Sequence, residues 1–362
     1  MTILQNQIVG KKEDVTDELL LLNPHQTPML ALVGYGTPVT QVAHAWFEDE
    51  MYADETTATA QALAAATTLS VADGSIFEKG HIIKAGEEFL LVEAVSTNDL
   101  TVKRGYADTV AADIESGDKV EFQFVEGVEG SDARKARLKA RKRVSNVTQI
   151  FDETISISGT AAATSQYSID NLYEYEKQKK QLELALQLEK AVINGIKYEA
   201  SNGLTRQMGG LRNFVKTNVT DGAKAALTED QLTDMFQTVF EKGGFATGGN
   251  YKIIVGAKQK RAISALGNSK IVLERQDNGR GQVVDHYLSD FGSAEIILNN
   301  NVGADEIFLV DANRVEIKPL QTRQFSHQFL GAKGDYVEGQ IVGEYTLELH
   351  QEKAHARIKN LR

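Results

Sequence analysis

Apolar positions recur along this chain with two different periods, and the periods divide it. From Ser168 to Tyr198 the stretch SIDNLYEYEKQKKQLELALQLEKAVINGIKY holds no proline and one late glycine. Leu172, Tyr175, Leu182, Leu186, Ile193 and Ile196 recur three, four or seven apart, which predicts one face of a long helix. Ser168 or Asp170 can cap its start, Lys179 and Glu189 interrupt the seam, and Asn194-Gly195 weakens the last turn. At about 1.5 Å per residue such a rod spans roughly 40 Å and braces a sheet. Earlier, the run ELLLL stops at Asn23-Pro24, and Thr27-Pro28 starts a short helix MLALV with Thr27 as cap and proline in its first position.

Between about 61 and 124 the period shortens to two. Thr68–Val71, His81–Lys84, Glu87–Val95, Leu100–Lys103 and Lys119–Phe124 read as strands separated by Asp73-Gly74, Ala85-Gly86, Thr97-Asn98-Asp99 and Ser116-Gly117-Asp118. Such spacing predicts a small barrel or sandwich, inserted in a larger excursion. In SDARKARLKARKRV, read as a strand, Arg137, Lys139 and Arg141 face one way and Ala136, Leu138 and Ala140 the other. Past the long helix, GLTRQMGGLRNFV reads as turn and strand. A capping box of Thr228 and Gln231 then opens a helix with Leu232, Met235, Phe236, Val239 and Phe240 on one face, ended by Gly243. Strand Lys252–Val255, helix Ala257–Leu266 and strands Glu295–Leu298, Glu306–Val310 and Val315–Lys318 predict an α+β or α/β layer. Tyr345, Leu347 and Leu349 alternate with Thr346, Glu348 and His350, a strand with one buried face.

Composition narrows the chemistry. The 362 residues, 42% of them hydrophobic, suffice for two or three domains, and the absence of cysteine excludes disulfides, thiolate nucleophiles and Cys-bound zinc. The start lacks the apolar core of a signal peptide and no run reaches membrane-spanning length, so a protein made and kept, or assembled, in the cytoplasm is expected. Net charge is −11, but residues 1–130 carry 7 Lys+Arg against 22 Asp+Glu, while the remainder carries 32 against 28. An acidic first third disfavours nonspecific nucleic-acid or anionic-membrane binding. The basic stretch lacks a wider basic surface and aromatic stacking partners, so Arg137, Lys139 and Arg141 are read as a solvated or subunit-contacting strand face rather than a nucleic-acid site.

No catalytic constellation emerges. Gly-x-Ser-x-Gly, His-Glu-x-x-His and a complete P-loop are all missing from the sequence. Gly244-Phe-Ala-Thr-Gly248-Gly249-Asn250 lacks the closing Lys-Ser/Thr of a phosphate cradle, and Gly34-Tyr35-Gly36-Thr37 is too short for a dinucleotide fingerprint. His350 and His355, five apart, fall on opposite faces of a strand and cannot share a metal there. Asp305, Glu306 and Asp311 read as turn acids. Glu87-Glu88 and Glu48-Asp49-Glu50 offer carboxylates at no defined separation. No catalytic, cofactor-binding or metal-ligating residue is assigned.

The last quarter carries the most specific pattern. Val283-Val284-Asp285-His286-Tyr287-Leu288-Ser289-Asp290-Phe291-Gly292 leads to Asn299-Asn300-Asn301. Then come Leu330-Gly331-Ala332-Lys333-Gly334-Asp335, Gly343-Glu344-Tyr345-Thr346-Leu347-Glu348-Leu349 and Lys353-Ala354-His355-Ala356. Earlier, Gly10-Lys11-Lys12-Glu13-Asp14-Val15 with Thr27-Pro28, and Arg143 to Phe151 followed by Ser158-Gly159-Thr160, complete the order. This succession resembles the major head (major capsid) protein family of tailed bacteriophages, with its Hong Kong 97-type capsid fold. The resemblance implies an α+β chain built as follows: N-terminal arm 1–45; extended loop 46–145 carrying an inserted all-β module (about 61–124); peripheral domain 146–219 with spine helix 168–198; axial domain 220–325; and strands 326–362 returning beside the spine. It implies a non-enzymatic protein that self-assembles as pentamers and hexamers into the icosahedral head around double-stranded DNA, without gripping that DNA specifically. Portal, scaffold or decoration proteins would be further partners. The virion would be its location and the host cytoplasm its assembly site. Two other readings stand beside it: an encapsulin-like nanocompartment shell, and a carbohydrate-active hydrolase with a glycan-binding β module, against which the module offers mainly Phe77, Phe89 and Tyr106 as aromatic platforms and no tryptophan.

Overall fold

The computed structural model describes residues 27–130, 134, 137–164, 169, 171–245, 249–266, 271–273, 284–332 and 334–362. The ELLLL run, the segment Gly10–Val15, the candidate caps Ser168 and Asp170, Ala136, Val283, Lys333 and residues 246–248 of the glycine loop lie outside these. Two compact units result: Met1–Trp46 with Arg143–Arg362, and Phe47–Lys142.

The chain enters the first unit through helix α1 (Pro28–Val33) and strand β1 (Ala43–Glu48). Pro28 occupies the first turn, but the Thr27 hydroxyl makes no cap hydrogen bond. The second unit is a six-stranded sheet of β2 (Glu55–Thr57), β3 (Thr68–Ser70), β4 (His81–Ala85), β5 (Glu88–Ser96), β6 (Asp99–Lys103) and β7 (Lys119–Val125). Its order is β2-β7-β4-β5-β6-β3, and an antiparallel bridge between Ala58 and Val71 joins the two ends into a small barrel. The alternating apolar positions fill it: Leu69, Ile83, Leu90, Val92, Leu100, Val102 and Val120 form a core of their own.

The chain returns through β8 (Lys142–Val147), which pairs with β1, and β9 (Gln149–Ser158). Residues 137–141, expected as a strand, carry no ladder partner. A short α2 (Gly159–Ala163) precedes the rod, α3 (Leu172–Asn194). Asn171, rather than Ser168 or Asp170, caps it, its side chain accepting from the amides of Tyr173 and Glu174. The buried seam also differs from the expected one. It runs through Leu184, Leu188, Glu189, Val192 and Ile193, whereas Ile196 lies beyond the helix and is 67% exposed. Gly195 ends the rod because its backbone packs on Gly210, whose amide donates to the Gly195 carbonyl at 2.9 Å.

A two-residue hairpin pair, β10 (Tyr198–Glu199) and β11 (Arg206–Gln207), leads to a single turn α4 (Leu211–Phe214) where a strand was expected. After β12 (Val219–Asp221) comes α5 (Glu229–Glu241), with both halves of the Thr228–Gln231 capping box present. Then follow β13 (Tyr251–Val255), α6 (Ala257–Ala265), β14 (Ile271–Leu273), β15 (Val284–Ser289), β16 (Gly292–Leu298), β17 (Ile307–Asp311), β18 (Val315–Pro319), β19 (Ser326–Ala332), β20 (Tyr336–Leu349) and β21 (Ala356–Lys359). They sort into two sheets. One is seven-stranded and mixed, in the order β12-β21-β17-β13-β16-β15-β14; in the other, β20 pairs with β18, β19 and β9. The last strand joins the seven-stranded sheet, and β18 pairs with β20 in the other.

β13 and β17 read as near-continuous apolar runs because both of their faces are covered. Ile253, Val255, Ile307 and Leu309 meet the apolar face of α5 in one core. Ile254, Phe308 and Val310 point into the other, shared with α3, β9 and β20.

Candidate functional site

The most built polar feature of the first unit lies on β20. Tyr345, Leu347 and Leu349 enter the α3 core as expected, but Glu344, Thr346 and Glu348 on the opposite face are also buried, at 2%, 0% and 4% exposure. A charged group leaves water only when paired and hydrogen-bonded. Glu344 receives Arg206 at 3.1 Å, Arg323 at 2.8 Å and the Thr148 hydroxyl at 2.6 Å. Glu348 receives His44 at 2.7 Å, His350 at 3.0 Å and Lys318. Burial opposes ionisation of Glu348, yet the bonds from His350, Lys318 and His44 outweigh it and hold the carboxyl well below its usual range. The same carboxylate draws the His350 pKa upward. Trp46, the single tryptophan, stands between the two imidazoles, with ring centroids 5.9 Å from His44 and 6.1 Å from His350.

Three further acids work in the same way. Glu306 joins α4 to β21 by accepting from Arg212 at 2.7 Å and Arg357 at 2.5 Å. Asp311, 1% exposed, takes the Asn250 amide at 3.0 Å and Arg314 at 3.0 Å. Both are buried, and Asp311 also caps the turn after its strand, as a turn acid does, by accepting the Asn313 amide at 3.1 Å. Glu189, which interrupted the expected seam, supplies the missing cap of α1: its carboxylate accepts the Met29 and Leu30 amides, each at 2.9 Å, and the Asn299 side chain at 2.6 Å. Burial pushes its carboxyl above the usual range despite those three bonds. His355 is fully buried, receives the Asp311 amide at 3.2 Å and is pushed down to about 4 by desolvation. It meets the carbonyl of His350 rather than its ring. Among the described residues no three His, Asp or Glu groups are placed to hold a metal, and no helix is long and apolar enough to cross a membrane.

In the second unit the basic stretch lies on acidic residues of that same unit. Arg137 is 3.7 Å from Glu78 and stacks 4.0 Å over the Tyr52 ring; Lys139 is 3.7 Å from Glu50; Arg141 is 3.4 Å from Asp49. The structure thus brings all three sequence-selected cations onto carboxylates, along one extended segment, with Leu138 91% exposed between them. Glu87 and Glu88 part company. Glu87 is exposed, while Glu88 is 2% exposed and closed on Arg104 by two bonds of 2.8 and 2.7 Å. No local sequence signal pairs Glu88 with Arg104, Glu344 with Arg206 or Glu189 with Met29; the interruption of the helix seam at Glu189 was the one available hint.

This arrangement binds the chain to itself, while single large apolar side chains such as Phe329, Tyr198, Leu204 and Phe240 stand exposed. The comparisons agree with a protein of that kind. Residues 2–362 match the SU10 major capsid protein family. The major capsid protein of Escherichia phage Phieco32 is 30% identical over 124 residues, which is 33% of this chain and 33% of that protein, so the match spans about a third of its length. The capsid asymmetric unit of cyanophage A-1(L) superposes with a TM-score of 0.59 at 10% identity, covering 99% of this chain and 98% of that one. A structure from Mycobacterium phage Bobi gives 0.54 at 11% identity, covering 100% and 99%. At such identity the likeness establishes the fold, which is the Hong Kong 97-type capsid fold. Family and fold are those of structural capsid proteins. With its sequence matched almost end to end and its architecture shared with phage capsids, the chain belongs to the SU10 major capsid protein family.

Proposed function

We propose that copies of this chain assemble, as pentamers and hexamers, into the icosahedral head enclosing the double-stranded DNA of a tailed phage, in the host cytoplasm and without catalysis. The match to a major capsid family over residues 2–362 carries this reading. The acidic charge of the chain, −11 in all, suits a container that does not grip its genome. In this reading residues 1–45 act as the arm, 46–145 as the extended loop, 146–219 with most of 326–362 as the peripheral domain around α3, and 220–325 as the axial domain, completed by β21. Portal, scaffold or decoration proteins are further partners of the shell. Protein expressed alone should appear in the electron microscope as rings or closed shells; a persistent monomer at high concentration would overturn the proposal.

Arg137, Lys139 and Arg141 are proposed as a subunit contact. Their pairs within the second unit are partly exposed, so each is worth only about 0–1 kcal/mol and can be traded for a neighbour's carboxylate. Repetition over a shell multiplies a small gain. Charge reversal at all three should block or weaken assembly while circular dichroism shows a folded chain, and shells forming normally would discard the contact.

A further inference from the structure

The barrel of the second unit carries a concave site of about 410 Å³, lined among others by Ile82, Phe89, Tyr106, Thr109, Phe124 and Glu126. Phe89 and Phe124 lie 6.4 Å apart, and Phe124 remains 55% exposed. Tyr106 closes the site from a loop whose backbone is strained at two non-glycine residues, Ala107 and Asp108, with φ of +55° and +65°. L residues adopt that region at a cost, and such strain persists only where the surroundings over-determine it.

Here they do. The buried Glu88 carboxylate accepts the amides of Gly105 at 2.9 Å and Ala112 at 3.2 Å while closing on Arg104. Arg104 in turn donates to the carbonyls of Leu63 at 2.8 Å and Ala112 at 2.5 Å. The Thr109 hydroxyl donates to the Tyr106 carbonyl at 2.8 Å and accepts the Phe89 amide at 3.2 Å. A buried ion pair and its backbone bonds are committed to a loop that puts Tyr106 and Ala107 on the wall of an aromatic pocket.

The chemistry of the wall selects the ligand. The whole unit, residues 47–142, carries 19 Asp+Glu against 11 Lys+Arg, and this net negative charge disfavours phosphate, nucleic acid and anionic glycans. A neutral sugar needs several hydrogen-bonding partners, but Thr109 is already engaged on both sides. Ring faces beside one carboxylate attract a cation that is flat and weakly hydrated, the description of a guanidinium. The unit already holds one of its own guanidinium groups in this way: Arg137 stacks over Tyr52 and lies 3.7 Å from Glu78. We propose that this pocket binds an arginine side chain presented by an extended basic segment of another protein, with Phe89, Tyr106 and Phe124 as the aromatic wall and Glu126 as the counter-charge.

The test is calorimetric titration of the full-length protein with a short Arg-Gly repeat peptide and with the same peptide carrying citrulline, which keeps the shape and removes the charge. The arginine peptide should bind, more weakly as salt rises. The citrulline peptide should bind at least about tenfold more weakly. Phe124→Ala, at an exposed position, should lower affinity about 2- to 30-fold, and Glu126→Gln up to about fivefold, with unchanged circular dichroism. Equal binding of the citrulline peptide, indifference to Phe124→Ala, no binding at millimolar peptide, or Phe124-dependent binding of a neutral oligosaccharide in its place would each overturn the proposal.

Discussion

Glu189→Leu isolates what a buried carboxylate does for the start of the described chain. The substitution removes the acceptor of the Met29 and Leu30 amides and of one Asn299 N–H. A buried donor left without a partner costs about 1–3 kcal/mol, so three set a ceiling of roughly 9 kcal/mol. The ceiling is not reached, because α1 has a cheaper response. Burying Met29 and Leu30, 0% and 9% exposed, contributes roughly 3–6 kcal/mol. Ordering six residues costs at least about 6 kcal/mol of chain entropy. The two nearly cancel, so the Glu189 bonds decide whether α1 stays docked. The expected result is undocking of α1 and a loss of about 1–3 kcal/mol in global stability. Native-state hydrogen exchange should show lost protection at the amides of Ala31 and Gly34, which bond to Thr27 and Leu30, with α3 still protected from Leu184 to Val192. Glu189→Gln should fall between, since its oxygen keeps two donors but its NH₂ faces the Leu30 amide. Because burial raises the Glu189 carboxyl above its unfolded value, its contribution is fullest in acid and declines as pH climbs through the folded pKa. Full protection of α1 in Glu189→Leu, with stability within about 0.5 kcal/mol of the parent, would refute the reasoning, and so would cooperative unfolding of the whole unit.

Arg104→Met leaves Glu88 buried without its cation and should destabilise the barrel by about 3–5 kcal/mol in denaturant titrations; a cost under about 1 kcal/mol would contradict the clamp. A Cβ on Gly210 would meet the carbonyls of Ala191 and Val192 at 2.5 and 2.6 Å. Gly210→Ala should therefore cost at least about 1–3 kcal/mol, read from the thermal midpoint, and a neutral variant would deny the close crossing with Gly195. Glu348 has a depressed pKa, so its contribution is lost as pH falls below about 4. His350 has a raised one, so its contribution is present below about 6.5 and lost as pH rises through the folded value. The stability difference between parent and Glu348→Gln should thus peak between those limits, followed by Trp46 fluorescence, and a difference flat from pH 4 to 8 would rule the cluster out as the cause.

The barrel and α5 were legible because their signals are local. Strand alternation ended by glycine or asparagine turns locates β4, β5 and β6 to within a residue or two, and the Thr228–Gln231 box fixes where α5 begins. The rod was legible as a helix but not as a surface. Counting Glu189 as an interruption turned the expected seam toward Tyr175 and Leu182, when Glu189 belongs to the buried face as a cap for α1. β20 failed for the same reason on a larger scale. Glu344, Thr346 and Glu348 look solvated because polar residues usually are, and their partners are distant in the chain: Arg206 for Glu344, the Val147 carbonyl for Thr346 and His44 for Glu348 stand 138, 199 and 304 positions away. The basic stretch has the alternation of a strand, yet a strand needs a neighbour's backbone, and Arg137 and Lys139 instead donate to carbonyls of Ile76 and Met51.

The sheet arrangement also constrains how such a chain could meet both fivefold and sixfold neighbours. β13 and β17 give alternate side chains to the α5 core and to the α3 core, so the two sheets of the first unit do not have separable interiors. Rotating one against the other would pull Ile254, Phe308 and Val310 from the α3 core that both sheets line, at roughly 1.5–3 kcal/mol for each side chain exposed. A surface ion pair worth about 0–1 kcal/mol cannot drive that movement. In the proposed assembly, adjustment between ring sizes falls outside this double core.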